Sequence, residues 1–98
     1  MAKNFNLKDE LLKEGFRIDV EQDVFGGSII SKVFTQEVEV VWYGKQERSL
    51  IVTVRFSQDE QNVRVTYSTG RTIFKTKDHL NEKRALNAIH QTIANQGF

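Results

Sequence analysis

The sequence predicts an α+β domain of two layers: a four- to five-stranded antiparallel β-meander with an N-terminal and a C-terminal helix packed on one face, α-β-β-β-β(-β)-α. Three observations carry this. Apolar residues recur with a period of two through Val38, Val40 and Trp42, then Leu50, Val52, Val54 and Phe56, then Val63, Val65 and Tyr67, which is the core side of a sheet. Polar, turn-forming clusters separate these runs. At both ends the spacing changes to that of a helix.

Taken in order, Asn6 is a candidate N-cap with Asp9 three residues on, and Leu7, Leu11 and Leu12 form an apolar stripe over about 7–14, closed by Gly15. Phe16, Ile18 and Val20 then alternate with charged residues in a strand expected over 16–24. Phe25-Gly26-Gly27-Ser28 supplies a turn, and the chain returns through Ile30, Phe34, Val38 and Val40 to Trp42. Lys32 and Gln36 interrupt the apolar face of that return, which predicts a bend or bulge. Residues 43–48 read as a hairpin loop before a strand over 49–57, Gln58-Asp59-Glu60-Gln61 as a turn, and 62–69 as the next strand. A short edge strand is expected over 71–76. Asp78 is the expected N-cap of a helix over about 79–95, in which Leu86, Ile89 and Ile93 share a face and Gly97 ends the segment.

The totals narrow the function classes. Ninety-eight residues fit one domain with one modest core. No cysteine is present, so a disulfide framework and a cysteine zinc site are excluded. The first residues carry no apolar signal segment, and no apolar run approaches the roughly 18 residues of a membrane span, so a cytoplasmic protein is the expectation. The net charge of +1 divides into −2 over residues 1–49 and +3 over 50–98, too even a balance to demand nucleic acid.

Parity also specifies the opposite face of the sheet. Pairing Trp42 with Leu50, Phe56 with Val63 and Val20 with Phe34 keeps apolar residues together. Those registers put Arg17, Glu37, Arg55 and Arg64 in one exposed row, with Val41, Ile51 and Tyr43 as an apolar margin. These seven residues are the expected protein-binding surface, and an unpaired edge strand makes self-association, a homodimer, the expected assembly. Trp42 itself is placed in the core by its parity. An acidic partner for three guanidinium groups is left to Glu37 alone.

The catalytic chemistries find little support. The serines lie in no Gly-x-Ser-x-Gly context, and Gly26-Gly27 precedes a strand where a phosphate loop needs a helix. His79 and His90, both expected on the last helix, would lie about 16 Å apart and could not share a metal. His90 reads as a helix-to-sheet packing residue, and His79 with Glu82 supplies too few ligands. No enzyme activity, cofactor or metal is expected.

The alternative function is nucleic-acid binding through Arg64, Arg71, Lys75, Lys77, Lys83 and Arg84, which gather around the expected start of the last helix. The order helix, antiparallel strands, helix with basic residues near its start is similar in topology to double-stranded-RNA-binding domains. The chain departs from that pattern in its fourth strand, in Asp78 and Glu82 within the basic cluster, and in the acidic first helix.

Overall fold

The computed structural model describes residues 6–22, 26–42, 44–57, 62–69 and 72–98. The order is α1 (Leu7–Lys13), β1 (Arg17–Val20), β2 (Ser28–Val40), β3 (Gly44–Phe56), β4 (Val63–Ser68), β5 (Ile73–His79) and α2 (Glu82–Asn95). The strands form one antiparallel sheet in sequence order, β1 to β5. This is the α+β meander that the alternation predicts.

Both helices start on an asparagine. The Asn6 side chain accepts from the backbone N–H of Asp9 at 3.0 Å, and that of Asn81 accepts from Arg84 N–H at 3.1 Å. Both also end alike. Gly15 and Gly97 take positive φ, and the following phenylalanine donates its N–H five residues back, Phe16 to Leu11 O and Phe98 to Ile93 O, each at 3.1 Å. Each helix end thereby turns a phenylalanine under the helix layer.

That layer covers one sheet face. Leu7 and Leu11 of α1 and Ala85 and Ile89 of α2 join Ile30, Leu50, Val52, Val54, Phe56, Val63, Val65 and Tyr67 in one buried cluster. Burying such side chains contributes about 1.5–3 kcal/mol each, which is what keeps a seven-residue helix such as α1 folded. Thr92 is buried on the α2 stripe because it hydrogen-bonds the Tyr67 phenol, whose pKa burial pushes up against that bond.

β2 and β3 are each 13 residues long, but β1 pairs only with 29–31 and β4 only with 51–56. Residues 34–40 and 44–50 therefore form a two-stranded arm. The arm stretches the molecule to 55 × 31 × 20 Å and its radius of gyration to 15.0 Å, against about 13 Å for a compact chain of this length.

The arm overturns several expectations. The observed β2–β3 register sets Phe34 opposite Leu50 and Val40 opposite Gly44, so Trp42 does not pair with Leu50, and 44–48 is strand where a loop was expected. Parity alone allows both registers, since they differ by an even number of residues. Trp42 leaves the core for the arm's tip, where it is 87% exposed and Val41 90%. Phe56 does pair with Val63, whereas Val20 meets Ile29 and not Phe34.

No bulge forms at Lys32 or Gln36. Their side chains, with that of Arg48, reach the last carbonyls of the helices: Lys32 Nζ to Glu14 O at 2.6 Å, Gln36 Nε2 to Gly97 O at 3.1 Å and Arg48 Nη2 to Gln96 O at 3.1 Å. Polar side chains on this face are thus occupied by groups that a helix leaves unsatisfied. The register shifts fall in the edge pairs instead, between Ile18 and Val20 on β1 and beside Tyr67/Ser68 in the β4–β5 pair. There Phe74 is the extra residue, its ring 6.3 Å from that of Tyr67.

β5 runs further than expected, to His79, because Asp78 continues the ladder opposite Arg64. The N-cap role passes to Asn81, and His79 belongs to a strand. His90 is not a packing residue either: it is exposed on α2, with Nε2 2.7 Å from Glu14 Oε1 at the end of α1.

Candidate functional site

The registers determine which side chains stand together on the sheet face that the helices leave uncovered. Three rows cross it. The first is Val33, Ile51, Ser68 and Ile73, from β2 to β5, with Val33 50% and Ile73 63% exposed. The second is Arg17, Ser31, Thr53, Thr66 and Thr76, a hydroxyl ladder from β2 onwards. Ile29, Arg55, Arg64 and Asp78 make the third.

The third row carries the charge. Arg55 and Arg64 are direct neighbours, as the Phe56–Val63 register requires. Asp78 answers Arg64, with Nε 2.8 Å from Oδ1 and Nη2 3.4 Å from Oδ2. The guanidinium hydrogen bond holds the Asp78 carboxyl below the usual carboxylate range, and the carboxylate raises Arg64 in return. Asp78 was expected to cap a helix; its strand position makes it the acidic member of the site.

The other expected members scatter. Glu37 is not the acid that answers the arginines: it stands on the arm opposite Glu47, directly across the pair. Arg17 lies one row away, 3.7 Å from Asp19, which also accepts from the Ser31 hydroxyl. Val41 is at the arm's tip and so does not border Ile51, while Tyr43 lies outside the described residues. Val33, directly opposite Ile51, and Ile73, beyond Ser68 in the same row, take the place of Val41 and Tyr43. The signal for Val33 was present as odd parity on β2, but it could be used only with the correct register.

The basic set divides between the two faces. Arg64 is on the open face with Asp78, and Arg71 lies outside the described residues. Lys75 and Lys77 stand opposite Tyr67 and Val65, hence on the helix side, and are exposed there; Lys75 Nζ sits 5.7 Å from the Tyr67 ring centre. Lys83 and Arg84 are exposed in the first turn of α2.

A pocket of about 410 Å³ opens at the corner of the sheet where β3, β4 and β5 reach the third row. Arg55, Arg64 and Asp78 line it, with Phe56, Val63 and His79 from the next positions and Leu80, 84% exposed, at its rim. The His79 Nε2 is buried with no hydrogen-bond partner among the described residues. Desolvation, with Lys77 and Lys75 adding to it against Asp78, lowers the His79 pKa, so the imidazole is neutral at pH 7.

Among the described residues no group of three or more His, Cys, Asp or Glu is placed to hold a metal ion, and no described helix is long and apolar enough to cross a membrane. The chain matches no protein-family model, and no similar protein was found among curated proteins or solved structures.

Proposed function

We propose that this chain is a small non-enzymatic protein-interaction module that works through the open face of its sheet, with a second copy of itself as the partner. The observation that carries this reading is the apolar row Val33, Ile51 and Ile73 crossing an uncovered face. Beside it, the Ser and Thr row is short enough in side-chain length for another sheet to lie about 10 Å away.

The pattern is also self-complementary. A two-fold axis running along β4 brings β3 of one copy over β5 of the other. Ile51 then meets Ile73, and Arg55 meets Asp78, twice over. Six-residue strands at about 3.3 Å per residue and five strands at about 4.8 Å give a face of roughly 20 × 20 Å, below the about 800 Å² per partner of a standard interface. The dimer is accordingly expected to be concentration-dependent.

Sedimentation or light scattering over a concentration series tests this. Association that Ile51→Glu and Ile73→Glu abolish, with the circular dichroism of the monomer unchanged, supports the reading. A strictly monomeric wild-type protein at high concentration removes it.

Nucleic-acid binding is the second reading, and one observation favours it: Lys75, Lys77, Lys83 and Arg84 are all exposed at the β5 edge and the adjoining start of α2. Affinity for duplex or single strands that falls steeply with salt would support it. No mobility shift at low salt would remove it.

A further inference from the structure

We propose that β5 accepts an extended acidic segment of another protein as an added strand of the sheet. The strand order leaves β1 and β5 outermost, and β5 is the longer, with 7 residues against 4. All of β5 except His79 is exposed, and it pairs with β4 alone, so alternate N–H and C=O groups along its outer side meet no strand. From Lys75 to His79 the ladder to β4 runs without a shift, which makes the edge a straight template for strand addition.

Charge selects the occupant. Lys75 and Lys77 stand opposite Tyr67 and Val65, so both lie on the helix side of the edge. Neither ammonium has an acidic partner among the described residues; that of Lys75 sits 5.7 Å from the Tyr67 ring centre. Burial lowers the His79 pKa, and Lys77 and Lys75 lower it further against Asp78, so this side of the edge is electropositive. A strand with carboxylates two residues apart sets one opposite each lysine, because both strands alternate with the same period. Asp78 has the other parity and is held by Arg64, so it does not compete for the lysines. At the start of β5, Ile73 and Phe74 are 63% and 42% exposed and would be covered by an apolar residue at the end of the added strand.

A second copy of β5 is a poor occupant. A two-fold axis through Thr76 sets Lys75 of one copy against Lys77 of the other, twice over, and an axis through Lys75 or Lys77 sets that lysine against itself. Lysines on an edge deter the pairing of like strands in this way, while an acidic strand gains from the same two charges.

The experiment is a titration of the isotope-labelled protein, followed by amide chemical shifts. The probes are the capped peptide Thr-Thr-Glu-Thr-Glu-Thr-Val, its isomer Thr-Thr-Glu-Glu-Thr-Thr-Val and a single-stranded oligothymidylate. In antiparallel pairing the first peptide sets its glutamates opposite Lys77 and Lys75 and brings its valine to Ile73 and Phe74. The isomer has the same charge but sends one glutamate to the other face. Saturable shifts along Ile73–His79 with the first peptide, and slower exchange of β5 amides, are expected. Lys77→Glu, with unchanged circular dichroism, should weaken that peptide about tenfold and favour the version carrying lysine in place of both glutamates. Ile51→Glu should leave peptide binding intact, so the edge and the open face fail or succeed separately. The proposal is overturned if the first peptide gives no saturable response, if the isomer binds as tightly, or if the oligothymidylate binds more tightly at the same salt, which would assign the lysines to nucleic acid.

Discussion

Arg48 on the arm and Gln96 at the end of α2 are joined by a 3.1 Å hydrogen bond from Nη2 to the backbone carbonyl, and the same guanidinium lies 5.3 Å from the Phe98 ring. One side chain thus satisfies a helix end and packs on an aromatic face. Phe98 in turn stacks at a tilt on Phe34, their centroids 6.2 Å apart, so the base of the arm is fastened to the helix layer from both strands.

Replacing Arg48 by Met keeps the aliphatic contact and removes the charged donor from the helix C-terminus. A loss of about 1 kcal/mol is expected in urea unfolding. Phe98→Ala should cost more than that, and the double variant less than the sum of the two, because both act on one contact.

Trp42 provides an optical test of the arm. Its indole is 87% exposed at the tip, so native emission should be red-shifted, readily quenched by acrylamide, and scarcely altered when the protein unfolds. A blue-shifted native spectrum in dilute monomer would return Trp42 to the core and remove the observed register.

Glu37 and Glu47 oppose one another across the arm, whereas Glu39 faces Lys45 one step nearer the tip. Like charges in a directly opposed pair are unfavourable. Glu47→Lys should therefore stabilise the protein by about 0.2–1 kcal/mol at low salt, with the gain reduced as salt is added. A destabilised variant would show that the two side chains do not meet.

His79 ties stability to pH. Its folded pKa lies below the ordinary value of about 6.5, so below that pH the unfolded chain binds the proton more readily. Stability should decline as pH falls through about 6.5 and stop declining, for this group, below its folded pKa. His79→Gln should flatten the melting temperature over that interval. Asp78 acts at more acid pH and with its own sign: its folded pKa is depressed, so its contribution is present above the usual carboxylate range and is lost as pH falls through the folded value.

Much of the architecture could be read from periodicity. The meander, the packing of both helices on one face and the neighbouring pair Arg55 and Arg64 all follow from alternation and a single short turn. The long hairpin could not be read in the same way. Gly44 to Ser49 holds no apolar residue, so it carries no strand signal, yet pairing with 35–40 makes it strand. Trp42 has core parity but stands beyond the last residue that the helix layer reaches. Asp78 has the chemistry of an N-cap and the position of a strand residue, a conflict that only its pairing with Arg64 resolves. The site was legible where the register was legible, at Ile51, Arg55 and Arg64, and it scattered wherever a residue's neighbours depended on the arm.

Lys32, Gln36 and Arg48 give the arm something that alternation cannot. Sliding β2 against β3 by two residues preserves every inward and outward orientation, so the sheet alone has no strong reason to prefer one alignment. The helix ends do discriminate, because their carbonyls sit at set heights above the sheet and each accepts from one side chain, across 18, 61 and 48 residues of sequence. They work as the stops on a ruler: a slipped hairpin keeps its faces but misses its marks. Only the observed alignment of the two long strands lets all three donors reach.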